Sequence, residues 1–553
     1  MKLEIMKEKP QVNPTGKDKD YDVLITGGVV YNGLGTPGQE ADVAVKGDRI
    51  LRIAPGLDKR RAAWVIDAAG LAVAPGFIDP HSHTDVELLV NPRAESKIRQ
   101  GVTTEISGNC GFSAFPLNLD SFVERKRILK EKYDLNLDWV DMNGFFDRLG
   151  EGGMALNYAT LLGHGTLREA VIGNEDRQSE DHEIETMKTL VEEHIRAGVF
   201  GLSSGLIYVP GIFAQSEEIT ELCRVVAHHG GVYTTHMRDE GDYLMESVEE
   251  SIKVARETGV SLLISHLKLA YPRNWSKIHA VLSRISEVRA AGVDIMADRY
   301  PYTATSTFLS VFFPRWAREG TITEFLLKTK GTTVERKLRE SIKAQEEKIG
   351  TWDNILISSV LTEKNRHLPG KSILQAAREA GKEPYDFIRD LLIEENDQVG
   401  MINFSLNEET FKRIMAHPLV VIGSDGWALA PYGKLAEGKP HPRSYGTFTR
   451  MLGRYVRDEK LMSLGHAIEK MTSMTAEKFG IVGRGRIMKG YFADLVLFNP
   501  DTVMDLSTWE SPHRYGRGIE YVIVNGEIVI DRGEHTGRLP GRVLKYEQRR
   551  VNL

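Results

Sequence analysis

Apolar positions along the chain recur in two rhythms. From Tyr21, short runs cluster Val and Ile between Gly and Asp: DVLITGGVVYN, ADVAVKGDRILRIA and WVIDAAGLAVAPG. Runs of this length, bounded by turn formers, predict β-strands. The same texture returns near the other end in DLVLFNP, IEYVIVNGEIVIDRG and the final GRVLKY. Two β-rich ends flanking a long middle predict one small domain, a β-sandwich assembled from residues 21–73 and 485–545. Residues 1–20, rich in Lys with Pro and Gly, predict a flexible tail.

Over 74–484 the second rhythm takes over, and apolar runs alternate with helical stretches. The strand candidates are LAVAPGFID, GVTTEISG, ALNYATLLG, GVFGLSSG, GVYTTHM, SLLISHL, GVDIMADRY and VVIGSD. Helical segments such as SVEESIKVARETG and IHAVLSRISEVRAAG end in Gly, where a left-handed cap is wanted. Strands alternating with helices predict βα units and a parallel sheet. Eight of them predict an α/β fold, a (β/α)8 TIM-like barrel. The stretch between the last two candidates, about 303–419, is too long for a plain connection and predicts an inserted helical subdomain.

Composition fits that plan. A chain of 553 residues, 27% charged and 41% hydrophobic, suits a barrel with insertions plus a small second domain. The net charge of -6 is modest, and Lys and Arg are scattered without a basic stripe, which argues against nucleic acid as a partner. Two cysteines in so long a chain predict no disulfide framework and a reducing, cytoplasmic setting. The N-terminus lacks the apolar core of a signal peptide, and no apolar run is long enough to span a bilayer.

Reactive side chains fall where the strand candidates end. Asp79, His81 and His83 follow the first, in GFIDPHSHTD; Cys110 follows the second, in ISGNCGFS. His236 ends the fifth, His266 the sixth and Asp425 the eighth. Strand ends share one concave face of a barrel, and His81 and His83, two apart, can point the same way. A single strand-end histidine is more often structural than a ligand. Imidazole, thiolate and carboxylate at five separate strand ends describe a zinc site better than a calcium or magnesium one. Asp425 is placed to take a proton from water and return it to a leaving nitrogen, the requirement of metal-assisted hydrolysis. Cys223, on an apolar helical face, reads as a core thiol. His228 and His229 read as charge complements at a helix end, and His164 as structural.

GFIDPHSHTD with the two β-rich ends resembles the amidohydrolase superfamily. The further set GVTTEISGNCGFS, LLGHGTLR, GLSSGLIYVPG, THMRDE, ISHLK, DRYPYTATST, IGSDG and HPRSYGTF resembles the D-aminoacylases, the N-acyl-D-amino-acid deacylases. This resemblance implies one tight zinc on Cys110, His236 and His266. It implies a second, weaker metal position at His81 and His83, with Cys110 able to bridge. It further implies Asp425 as general base and acid, and Arg443 holding the substrate α-carboxylate with Tyr300 and Ser306. Lys268 would line the side-chain pocket. An Arg fork suits bidentate carboxylate binding. Tyr208, in GLIYVPG, can serve as an oxyanion donor or as an aromatic wall. The loop GWALAPYGKLAEGKP between Asp425 and Arg443 departs from the family pattern, and FLSVFFPRW after Tyr302 can wall the pocket or form the insert's own core. The expected activity is hydrolysis of the amide of a small N-acyl-D-amino acid. The alternatives are a cyclic amide, as in hydantoinases and dihydroorotases, a β-aspartyl dipeptide, or a non-catalytic barrel that keeps zinc for structure.

Overall fold

The computed structural model describes residues 19–547, so nearly all of the tail expected over 1–20 lies outside the described residues. The chain is mixed α/β. Its first strand, Tyr21–Val30, pairs antiparallel with Gln39–Lys46, which turns back on Arg49–Ala54. The other edge of the first strand takes two partners in succession, Ala62–Asp67 beside its first half and Ala72–Pro75 beside its last residues. The fork falls at Gly28, where a Cβ would lie 2.6 Å from Val73 Cγ2. Ala72–Pro75 then pairs with Leu495–Phe498, and the sheet runs on through Ile519–Val524, Glu527–Asp531 and Glu534–His535. Both ends of the chain thus share one nine-stranded sheet. Val23, Ile25, Val43, Ile66, Leu495 and Ile523 fill its core.

The eight strand candidates of the middle all form strands, each parallel to its neighbour. They are Phe77–Asp79, Val102–Ser107, Asn157–Thr160 (continued by Leu162–Gly163), Gly201–Gly205, Val232–His236, Ser261–Ile264, Ile295–Arg299 and Val420–Ile422. Leu161 N donates to Ser107 O, and Phe200 N to Thr160 O, so the third strand joins the ladders on either side. The first and last meet through a Ser82–Gly426 bridge and an Asp425 N to His81 O bond of 2.8 Å. Almost every residue of these strands is buried, as expected where helices cover the outside and side chains fill the inside. The helix Leu244–Thr258 shows how: Val248, Ile252 and Ala255 form its inward stripe, and Gly259 closes it at φ 74°.

The insert differs from the helical expectation. It is built on an antiparallel sheet of Thr305–Phe308, Gly400–Asn403 and Ile355–Ser359. The helices Ile322–Thr329, Thr333–Ile349, Ile373–Glu379 and Pro384–Glu394 accompany that sheet. Leu309, Phe312, Trp352, Ile357, Ile388 and Leu392 make its separate core. Its strands are short and their partners lie far along the chain, so no local alternation reveals them. The last helix before strand eight, Glu408–Ala416, packs Phe411, Ile414 and Met415 into the main core instead. GRVLKY also departs from the reading that grouped it with the β-rich end. It runs beside the third parallel strand, where Tyr158 N donates to Arg542 O and Leu544 N to Tyr158 O. No helix among the described residues is long and apolar enough to cross a membrane.

Candidate active site

Close packing of backbone brings the strand ends together. In GNCG, Gly111 takes φ +82°, and a Cβ there would lie 2.7 Å from Gly205 N; a Cβ on Gly205 would lie 2.0 Å from Cys110 O. The glycines of ISGNCGFS and GLSSGLIYVPG therefore let the second and fourth strand ends touch, which presents Cys110 to the centre. Cys110, His266 and Asp425 all adopt left-handed backbone, with φ of 52°, 37° and 51°. Such geometry costs on the order of 1 kcal/mol or more per residue outside Gly and is held by surrounding structure.

Around Cys110 two groups of ligand atoms form, Cys110 with His236 and His266, and His81, His83, Cys110 and Asp425; within each, all atoms lie within 4.8 Å of one another. Cys110 Sγ is 3.3 Å from both His81 Nε2 and His266 Nε2. His81 Nδ1 lies 3.1 Å from Asp298 Oδ2, and Asp298 Oδ1 accepts from His266 N at 2.9 Å. His266 Nδ1 is 3.1 Å from Glu240 Oε1. The carboxylate behind His81 favours the tautomer that leaves its Nε2 free to bind a metal. His236 is buried, and neither of its ring nitrogens has a hydrogen-bond partner. Buried polar atoms are normally paired, so the donor set fits a soft divalent ion shared by one thiolate and imidazoles.

The charges agree with that fit. Burial pushes the Cys110 thiol up, but His81 and His266 beside it outweigh burial and hold it well below the usual thiol range. Burial likewise opposes ionisation of Asp425, and Arg443 first, then His266 and His81, hold it well below the usual carboxylate range. Asp425 Oδ1 is 2.9 Å from His83 Nε2, and Oδ2 is 2.7 Å from Arg443 Nη1.

His83, Cys110, His236, His266, Asp425 and Arg443 line one cavity of about 380 Å³, with His81 fully buried. Arg443 lies over the Tyr300 ring at 4.8 Å, and its Nη2 donates to Ser306 O at 3.4 Å. The buried Arg443 Nε and Tyr300 hydroxyl have no hydrogen-bond partner, and both residues are among those lining the cavity. Ser306 approaches Arg443 with its carbonyl, not its hydroxyl. Tyr208 sets its ring edge-on to His236 at 5.0 Å and shares a 2.9 Å hydrogen bond with Thr307 Oγ1 of the insert. Lys268 Nζ lies 2.7 Å from His266 Nδ1 and 2.5 Å from Glu240 Oε1. The unusual loop after Asp425 adds Trp427, which packs on His83 at 5.6 Å. From FLSVFFPRW, Leu309, Phe312 and Phe313 go to the insert's core, while Phe308 lines the cavity.

Two groups escaped the sequence reading. Asp298 and Glu240 stand in the quoted runs GVDIMADRY and THMRDE, but only the fold places them behind the imidazoles. Asp79, noted with its neighbours, points away from the cavity: it is fully buried, and Lys97 Nζ donates to it at 2.7 Å. His164 pairs with Glu218 at 2.7 Å, and Cys223 is a free, buried thiol whose pKa burial raises. Neither lines the cavity. His228 and His229 sit at the end of helix Ser216–His228.

Parallel strands that gather a thiol, four imidazoles and an aspartate at their ends beside one cavity define a class of metal-assisted hydrolases, and the chain belongs to the amidohydrolase family, whose pattern matches residues 64–349 and 362–530. It is 37% identical over 525 residues to the D-aminoacylase of Alcaligenes xylosoxydans xylosoxydans, spanning 95% of this chain and 97% of that one. It is 35% identical to the N-acyl-D-glutamate deacylase of the same organism, over 95% and 97% of the two chains. A solved structure of the N-acyl-D-glutamate deacylase from Bordetella bronchiseptica, complexed with zinc and a phosphonate mimic of the tetrahedral intermediate, matches with a TM-score of 0.81. That match has 34% identity over 95% of this chain and 100% of the other.

Proposed function

We propose that this chain is a zinc-dependent hydrolase of N-acyl-D-amino acids that releases a carboxylic acid and a D-amino acid. One observation carries the reading: Cys110, His236, His266 and Asp425 converge at strand ends in the same cavity that Arg443 and Tyr300 line. We read the ring of eight parallel strands as a (β/α)8 barrel over about 74–484, and the forked sheet from both termini as its small β-sandwich domain. The insert is a mixed subdomain within about 303–419. Two free, buried cysteines support a reducing, cytoplasmic setting.

Cys110, His236 and His266 would hold the tighter ion, and His81 and His83, with Cys110 bridging, a weaker one. Bound zinc supplies Lewis acidity toward the amide carbonyl and toward water. The protein's own groups do the rest. Arg443 and Tyr300 hold the α-carboxylate, assisted by Ser306, and fix the amide over the ligand cluster. Asp425 Oδ takes the proton of the attacking water, and the water oxygen forms the new bond to the carbonyl carbon. Tyr208 donates its hydroxyl to the developing oxyanion, leaving Thr307. Asp425 returns the proton to the departing nitrogen as the C–N bond breaks. A hydrolysis screen of N-acetyl-D- and N-acetyl-L-amino acids tests the proposal. Turnover of D substrates supports it; turnover confined to L substrates, or turnover of neither, would refute it.

A further inference from the structure

Tyr208 stands on a loop that follows the fourth parallel strand and is held from two sides. On the barrel side, Leu206 N donates to His236 O at 3.0 Å, and Arg238 donates to Ala214 O at 3.1 Å while pairing with Glu250. On the other side the insert reaches the loop at three points. Thr307 Oγ1 lies 2.9 Å from the Tyr208 hydroxyl, the Phe308 ring stands edge-on to the Tyr208 ring at 6.3 Å, and Arg318 Nη1 donates to Ile207 O at 2.7 Å. The segment that carries Arg318 is itself fastened to the barrel, where Gly320 N donates to Asn174 O at 2.9 Å and Arg315 pairs with Asp176.

The third contact bears on the chemistry. Ile207 O and Tyr208 N belong to one planar peptide unit. Arg318 holds that unit by its carbonyl, and Gly205 O accepts from its N–H at 3.1 Å. The plane from which Tyr208 leaves the backbone is thus held on both edges, and its ring then packs on His236 at 5.0 Å and on Phe112 at 5.4 Å. The surroundings of Arg318 do not favour a cation. Its Nε is buried without a hydrogen-bond partner, and burial lowers the guanidinium to about 10 against the opposing charges of Asp397 and Tyr208. Burial also raises the Asp397 carboxyl, to about 6. A charge kept under such desolvation stands directly behind the stretch of cavity wall that Ile207 and Tyr208 form.

We infer that Arg318 is a positioning residue for the hydrolysis: by holding the Ile207 carbonyl it keeps the Tyr208 hydroxyl where the oxyanion develops, so the insert serves the chemical step as well as walling the cavity. This inference rests on the deacylase reading above and on Tyr208 as its oxyanion donor.

A double-substitution cycle in the zinc-loaded full-length enzyme tests it, with the N-acetyl-D-amino acid that the wild type turns over fastest. Tyr208→Phe alone is expected to lower kcat about 10²- to 10³-fold, as loss of an oxyanion donor does. Arg318→Met alone is expected to lower kcat about 10- to 100-fold with KM within about threefold of wild type, the signature of a displaced group. Added to Tyr208→Phe, Arg318→Met is expected to lower kcat no further than about twofold, because both changes act through one hydroxyl. Zinc content is expected to stay at the wild-type level in all three variants. Where Arg318→Met does not fold, Arg318→Gln carries the same cycle. An equal loss from the Arg318 change in both backgrounds, a loss confined to KM, or an unchanged kcat overturns the inference and leaves the deacylase reading standing. Wild-type kcat in Tyr208→Phe overturns the inference together with the oxyanion role of Tyr208. A wild type that turns over no N-acetyl-D-amino acid overturns the deacylase reading beneath both.

Discussion

The two ligand groups that meet at Cys110 differ in how their nitrogens are occupied. In the group of His81, His83, Cys110 and Asp425, protein carboxylates already answer the imidazoles: Asp298 stands behind His81, and Asp425 bonds His83. In the group of Cys110, His236 and His266, Glu240 stands behind His266, but it comes no closer than 3.5 Å to His236, whose ring nitrogens make no hydrogen bond. The first arrangement is tied by close protein hydrogen bonds; the second leaves His236 less tightly answered and so readier to take an added ligand. The contrast supports assigning the tighter zinc to Cys110, His236 and His266. A donor set is thus told from a hydrogen-bonded cluster by what its atoms lack.

The sharpest way to break this contrast is to remove the atom both groups share. Cys110→Ala is expected to abolish stoichiometric zinc and to lower kcat by more than about 10⁴-fold, beyond what loss of a general base alone costs. Metal analysis beside a turnover assay checks it, and a variant that keeps one zinc would place the tight ion elsewhere. Asp425→Asn separates chemistry from metal binding: zinc at the unpartnered group is retained while kcat falls by about 10²–10⁴-fold. Near-normal turnover would remove Asp425 as the base.

Arg443→Met acts at the substrate's end of the cavity and is expected to cost 10- to 100-fold, about 1.5–3 kcal/mol of charged hydrogen bonding. The loss should appear mainly in KM, and an N-acyl amine lacking the carboxylate should not discriminate between the variant and the wild type. Asp298→Asn weakens the carboxylate behind His81, so affinity for a second equivalent of zinc should fall about 10- to 100-fold. Titration with one and two equivalents checks this; equal weakening of the first equivalent would erase the distinction between the groups.

The smallest effect is a control far from both. Burial first, and Arg93 beside it, lower His535 to about 4 from the usual 6.5. As pH falls below 6.5 the unfolded chain takes up a proton that the folded chain refuses until about pH 4, so stability declines across that window. His535→Gln should flatten the decline in thermal midpoint between pH 7 and 4.5, with no change in zinc content.

Much of this site is legible in the sequence because strand ends advertise themselves. His236 and His266 end strand-like runs, and HSH places two imidazoles on one face, so local pattern suffices to single them out. Asp298 carries no such mark: in GVDIMADRY it is one carboxylate among several polar residues at a strand end, and its role exists only because the ring of strands brings His81 within 3.1 Å across the eighth strand. Glu240 follows His236 by four residues in a non-helical turn, where sequence spacing does not say whether two side chains meet. The insert's sheet stayed hidden for a related reason. Thr305–Phe308 and Gly400–Asn403 pair across almost a hundred residues, and short strands without local partners yield to the stronger helical periodicity between them.

The pairing of Ala72–Pro75 with Leu495–Phe498 closes a loop of about 420 residues. During synthesis the strand that leads into the histidine pair therefore emerges with one edge bare and waits for almost the entire chain before that edge is covered. Loop-closure entropy and an exposed edge make such a step slow and prone to association. Maturation of the enzyme thus ends at the stitch between its two termini, and chains cut short before residue 495 retain a sticky seam.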